Sequence, residues 1–158
     1  MKGYELKTQL TGCSHKISRT IIVPETLSFS ELAEDLVTIY DLSFFNPSAF
    51  RFPGLNAPLN DNEEDIIIKD YLDLFKKFTW VYYSKNLTFN IKVKKTVKAE
   101  SYCAVKSYEG KYNPLDYRSA YEFDEILYEI EAKTRDLEDI TIFNIDKVNE
   151  KLKGKTCE

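Results

Sequence analysis

The segment from Phe78 to Val93 constrains the fold more than any other. Leu87, Phe89, Ile91 and Val93 alternate with Thr88, Asn90 and Lys92. A period of two puts successive side chains on opposite faces of a strand. This strand therefore has one dry face and one wet face, the mark of a half-buried antiparallel sheet. Phe78–Tyr83 precedes it as a second strand, and Ser84, Lys85 and Asn86 supply the turn. A sheet that is dry on one side needs other elements to cover that side.

The rest of the chain offers both strands and covering helices. Tyr4 to Gln9 alternates, with Tyr4, Leu6 and Thr8 on one face. A polar stretch from Gly12 to Lys16 follows, and Ile17–Val23 is a β-branched run closed by Pro24. The two runs read as a β-hairpin. Ser28 and Glu31 form a capping box at the start of a helix. Phe29, Leu32, Leu36, Ile39 and Tyr40 share one face of it, and it should end near Asp41 to Ser43. Pro47, Pro53, Gly54 and Pro58 mark a loop with one short strand at Ala49 to Phe52. Asp70 to Phe75 reads as a short helical turn, and Tyr102 to Val105 as a further strand. Ser119 and Glu122 make a second capping box, followed by Phe123, Ile126, Leu127 and Ile130 at helical spacing. Asn144 caps a last helix carrying Ile145, Val148 and Leu152, with Gly154 placed to stop it. The expectation is one α+β domain over 1–158, with a largely antiparallel sheet. An N-terminal hairpin, a first helix packed on the sheet and C-terminal helices complete it.

A chain of 158 residues can bury about 68–70% of the surface its unfolded form exposes, so its core needs no disulfide or metal. Its formal net charge of −4 argues against a phosphate-driven nucleic-acid binder. A local exception is the group Lys92, Lys94, Lys95 and Lys98, the candidate nucleic-acid contacts. No apolar run reaches the roughly 18–20 residues of a membrane span. The opening MKGYELKTQL lacks the apolar block of a secretory signal. Cys13, Cys103 and Cys157 are odd in number and widely spaced, which reads as free thiols in a reducing cytosol. His15 is the single histidine and sits in a polar turn, where exposure is the simplest expectation. No pattern of Cys and His at zinc spacing and no phosphate-cradling glycine loop is present. Glu63, Glu64 and Asp65 are consecutive acids without the spacing of a calcium loop. No metal and no cofactor is therefore expected.

Several segments carry a resemblance in their order. Lys16-Ile17-Ser18-Arg19-Thr20-Ile21-Ile22-Val23-Pro24 fits a strand pattern P-x-I-W-R-R-I-x-V-P, keeping one arginine. Leu27, Leu32 and Leu36 sit where a helix T-L-x-x-L-H-x-x-I stands. Phe78-Thr79-Trp80-Val81-Tyr82 fits an aromatic strand that runs into Y-D-F-G-D-x-W, although Tyr83-Ser84-Lys85-Asn86-Leu87 replaces both acids. Gly110, Asn113-Pro114 and Asp116 follow G-x-x-x-x-P-P-E-D-x-G-G, with Leu115 for the glutamate and Arg118 and Ser119 for the glycine pair. Tyr121, Ile126 and Leu127 fit the helix G-Y-x-x-F-L. Phe143, Asp146, Val148, Asn149 and Leu152 fit the closing F-D-x-x-x-V-N-x-x-L. Over about residues 4 to 152 the chain resembles a divergent member of the plasmid pRiA4b open-reading-frame-three-like family. The resemblance implies a small α+β protein associated with mobile elements, and it implies no particular activity.

Four residues stand out as ligand-binding candidates. Arg19 interrupts an apolar run, and its planar guanidinium suits a bidentate carboxylate or oxyanion. Asp116 lies in the loop before a helix and is available as its partner. Tyr82 and Tyr121 belong to an excess of tyrosine, 11 residues in all, which suits interfaces or base stacking. No serine-nucleophile motif and no other catalytic constellation is readable, so no catalytic residue is assigned. The leading expectation is a non-catalytic binding or interaction module with an unidentified protein partner, tied to a mobile element. The alternatives are an enzyme with a pocket at Arg19 and Asp116, and a nucleic-acid-binding accessory protein. Edge strands leave a homodimer open as a further partner.

Overall fold

The computed structural model describes residues 1–44, 46–60, 66–83, 86–133 and 140–155. Seven strands form one sheet: β1 (Lys2–Leu10), β2 (Ser18–Pro24), β3 (Ser48–Arg51), β4 (Leu59–Asn60), β5 (Lys77–Tyr82), β6 (Leu87–Lys98) and β7 (Ala104–Glu109). Their spatial order is β4-β3-β5-β6-β1-β2-β7, and every pairing is antiparallel. The helices are α1 (Phe29–Ile39), α2 (Lys69–Leu72), α3 (Ala120–Glu131) and α4 (Ile145–Gly154). The fold is α+β.

The alternation in β6 is realised as expected. Leu87, Phe89, Ile91 and Val93 are buried, while Asn90, Lys92 and Lys94 are exposed. Tyr4, Leu6 and Leu10 of β1 and Phe78, Trp80 and Tyr82 of β5 bury on the same face. The buried sides of α1, α3 and α4 join these residues in one hydrophobic cluster. Ring packing is dense in it: Phe29 meets Phe50 at 5.2 Å between centroids, and Tyr40 meets Phe89 at 4.4 Å. Three of the tyrosines, Tyr4, Tyr40 and Tyr82, are fully buried in this core.

The Ser28–Glu31 capping box is complete, with both reciprocal hydrogen bonds at 3.1 Å. α1 ends at Ile39, earlier than expected, because Asp41 adopts a left-handed φ of 55° that the helix cannot continue through. The second box is only half made. Ser119 Oγ accepts from Glu122 N, but the Glu122 carboxylate takes the serine hydroxyl instead of the backbone N–H. Asn144 caps α4 through Lys147 N. Gly154 does not stop that helix; it is its last residue, with Lys155 following at φ −64°.

The strand expected at Tyr102 to Val105 begins later and runs further. Pairing with β2 starts at Ile22↔Ala104 and continues to Ser18↔Glu109, so the partner strand sets its limits. Gly110 then turns the chain at φ +82°, where an added Cβ would meet Lys16 O at 2.4 Å. Only glycine fits there. The acids 63–65, the turn residues Ser84 and Lys85, and Cys157 lie outside the described residues.

Candidate functional site

Arg19 points into the core and is fully buried. Its Nη1 donates to the carbonyls of Ser18 at 2.8 Å, Glu109 at 2.9 Å and Gly110 at 3.1 Å, and Nη2 donates to Tyr112 O at 3.4 Å. The guanidinium lies over the ring of Phe143 at 4.1 Å, with Tyr40 and Tyr108 at 5.3 and 5.6 Å. Burial lowers its pKa, yet a guanidinium starts so high that it stays charged. Arg19 is thus spent on fixing the end of β7 and the segment after it. Among the described residues it makes no ion pair, and it is closed off from solvent.

Asp116 serves elsewhere. Its Oδ2 accepts from Ser43 N at 3.1 Å, and its carbonyl accepts from Asn86 Nδ2 at 2.7 Å. Ser43 N also donates to Tyr82 Oη at 3.1 Å, and that hydroxyl donates to Ser43 O and accepts from Asn46 Nδ2, each at 2.9 Å. Burial, ahead of any neighbour, raises the Tyr82 pKa. Asp116 and Tyr82 therefore tie down the chain after α1. Among the described residues, Arg19 and Asp116 share no hydrogen-bond partner and form no ion pair with each other. Tyr121 stands on α3 at 67% exposure, with Tyr117 and Tyr128 also exposed.

The opposite face of the sheet is a different environment. Lys77 of β5 pairs in register with Lys92 of β6, and Lys92 pairs in register with Lys7 of β1. Three lysines thus lie side by side on three neighbouring strands. The next row across the same strands reads Thr79, Asn90 and Gln9, with Arg51 of β3 opposite Thr79. Together with Lys94 these side chains line a depression of about 630 Å³, and no acid lines it among the described residues. Subtracting its five cations from the whole-chain charge of −4 leaves −9 for everything else. Lys7 reaches Glu109 at 3.5 Å. Lys77, Lys92, Lys94 and Arg51 have no carboxylate within ion-pair distance among the described residues. The β1–β6 register shifts between Glu5 and Leu6, which leaves Lys94 as the extra residue and sets Lys95 opposite Glu5. Lys95 and Lys98 lie outside the depression, and Lys98 pairs across from Lys2. The sequence marked Lys92 and Lys94; Lys7, Arg51 and Lys77 come from three other strands, and only the register unites them.

His15 is not the exposed residue its polar turn suggests. Its side chain is 20% exposed, because the β1–β2 connection is bound to α3 through Asp124. Asp124 Oδ1 accepts from Cys13 Sγ, His15 N and His15 Nδ1, while Oδ2 accepts from Ser14 N and Ser14 Oγ. His15 Nε2 meets Glu131 Oε1 at 2.7 Å. Burial opposes charging of the imidazole, but the hydrogen bonds to Asp124 and Glu131 outweigh it and raise its pKa. Burial pushes the Cys13 thiol up to about 12, reinforced by Asp124. The sequence hides this cluster because Asp124 lies on α3, more than a hundred residues downstream. The imidazole's outer nitrogen faces a carboxylate and not a hydroxyl or thiol, so the group is not a nucleophilic triad.

Comparison with solved structures matches a crystal structure of a protein of unknown function from Methanosarcina mazei Go1. The TM-score is 0.70 at 18% identity, over 86% of this chain and 85% of the other. No protein-family model matches the chain. No curated protein matches it either. The likeness establishes a shared fold. No helix among the described residues is long and apolar enough to cross a membrane.

Proposed function

We propose that this protein is a non-catalytic binding module whose open sheet face takes a phosphate-rich strand of nucleic acid. The observation that carries the reading is the row Lys77–Lys92–Lys7, in register and, among the described residues, with no acid paired to Lys77 or Lys92. Like charges directly opposite one another weaken a sheet. A fold has no structural use for such a row, whereas a polyanion neutralises it. Neighbouring strands are about 4.8 Å apart, so the three lysines make one line of positive charge across the sheet. Thr79, Asn90 and Gln9 add hydrogen-bonding groups beside the cations. The two rings that line the depression, Phe52 and Phe78, are buried in the core and offer little surface for base stacking, so affinity comes from charge and falls with salt. The resemblance to the pRiA4b-like family, with its implied association with mobile elements, is consistent with a partner of this chemistry. Cys13 and Cys103 are free thiols, which supports a cytosolic setting.

Fluorescence anisotropy with labelled single-stranded and duplex oligonucleotides tests the reading. Binding should weaken linearly in log salt. Each lysine removed should cost about tenfold, equivalent to about 1.4 kcal/mol, and lower the salt slope by about one. No retention of any oligonucleotide at low salt ends it.

A second reading rests on Tyr117, Tyr121 and Tyr128, all more than half exposed on and before α3. Exposed tyrosines suit a protein partner, and that surface is distinct from the lysine row. Tyr121→Ala should weaken capture of such a partner without altering oligonucleotide binding.

A further inference from the structure

The β1–β2 connection and α3 bring three metal-ligating side chains together. Cys13, His15 and Asp124 each offer one donor atom, and these atoms all lie within 4.8 Å of one another. Thiolate, imidazole and carboxylate are the donors that zinc-class ions accept. Cys13 Sγ sits 3.2 Å from Asp124 Oδ1, and His15 Nδ1 contacts the same oxygen. A tetrahedral ion with bonds of roughly 2.0–2.3 Å spaces its ligands roughly 3.3–3.7 Å apart. A small swing of the imidazole away from Asp124 makes that room.

The surroundings supply an independent argument. Glu131 Oε1 takes the far nitrogen of His15 at 2.7 Å. A carboxylate there holds the N–H on Nε2, so that Nδ1, once it gives up the proton it donates to Asp124, offers its lone pair to an ion beside Cys13 and Asp124, as behind metal-bound histidines. Ser14 N and Oγ fix Asp124 Oδ2 at 3.0 and 2.8 Å, which leaves Oδ1 as the ligating oxygen. The Tyr128 ring packs on the imidazole at 4.4 Å, and its hydroxyl meets Ser14 Oγ at 2.6 Å. A plain anchor between the hairpin and α3 needs the Asp124 carboxylate and backbone N–H groups. It needs neither a thiol on that carboxylate nor a second carboxylate behind the imidazole.

We propose that Cys13, His15 and Asp124 form a three-ligand site for a divalent ion of the zinc class, with Glu131 positioning His15. On binding, the Cys13 Sγ–H and His15 Nδ1–H protons leave to solvent. Sγ and Nδ1 bond to the ion, and Asp124 Oδ1 exchanges hydrogen bonds for a metal bond. The fourth tetrahedral position falls to water. The His15 and Asp124 side chains are 20% and 13% exposed, so an ion enters directly from solvent.

The test is a cobalt(II) titration of the metal-free full chain carrying Cys157→Ser. The expected result is a thiolate-to-cobalt absorption that saturates at one ion per chain and is displaced by zinc. Cys13→Ser abolishes the band, His15→Ala weakens binding at least a hundredfold, and Glu131→Gln weakens it about 10–100-fold. Cys103→Ala leaves it unchanged. Zinc raises the melting temperature of the parent chain and not of the Cys13→Ser variant, whose fold is verified by circular dichroism. Absence of a thiolate band, or its persistence in Cys13→Ser, overturns the proposal.

Discussion

The two faces of this sheet carry cations under opposite physics. On the core face, Arg19 is buried, its Nη1 and Nη2 donate to four carbonyls, and aromatic rings flank it. On the open face, Lys77 and Lys92 stand in register with no acid lining their depression among the described residues. Carbonyl acceptors and ring packing account for the first. No contact among the described residues accounts for the second, and like charges set opposite one another weaken a sheet. A motif residue is thus a poor guide to a site when the fold itself uses its chemistry. A row of charges that the fold does not use is a better one.

The sharpest way to break this contrast is Arg19→Ala. If Arg19 is structural, its removal orphans the carbonyls of Glu109 and Gly110 and opens a cavity beside Phe143. Large-to-small changes and lost buried hydrogen bonds together predict a loss of about 3–5 kcal/mol, measured by urea unfolding. Arg19→Lys should recover only part of it, since an ammonium cannot span the same carbonyls. Undiminished stability combined with lost oligonucleotide binding would move Arg19 to the functional side.

A second buried charge extends the comparison. Asp35 of α1 has a side chain 10% exposed, with Lys155 Nζ at 3.6 Å. Burial raises its carboxyl to about 7, against the opposing pull of Lys155. An unfolded aspartate titrates near 3.9, so the folded state holds the proton over a wider range. Its favourable contribution is complete below about pH 4, declines as pH rises toward 7 and is gone above that. Asp35→Asn should flatten this decline and raise stability at pH 8 by about 2–4 kcal/mol, at about 1.36 kcal/mol per pKa unit. Unfolding curves at pH 5 and pH 8 decide it; equal pH dependence in both proteins would show that Lys155 keeps the carboxylate ionised throughout.

These cases also show what the chain discloses by itself. The alternation in β6, the hairpin and the Ser28 cap are local patterns, and all three are present in the structure. The limits of β7 were not readable, because its partner β2 sets them. Arg19 could be picked out, but its role could not, since its acceptors are carbonyls that carry no sequence signal. Lys92 and Lys94 were visible as a cluster. Lys7 and Lys77 were not, because register across three strands is a tertiary fact. His15 was misjudged for the same reason: its partners Asp124 and Glu131 lie on α3, and no spacing rule links them to the hairpin.

The smallest effect tests the contrast most directly. Lys92 stands between Lys77 and Lys7, so Lys92→Thr removes two cross-strand repulsions and introduces a residue that favours strands. Stability should rise by about 0.5–1 kcal/mol. For a chain of this size that is a gain of about 1–4 °C in melting temperature, largest at low salt where screening is weak. Oligonucleotide affinity should fall about tenfold in the same variant. The opposite signs matter more than either magnitude. A lysine kept for folding would lose stability on replacement, and a lysine of no consequence would move neither quantity. Only a residue held against the interest of the sheet, for the sake of an anion above it, gives a firmer fold and a weaker complex from one substitution.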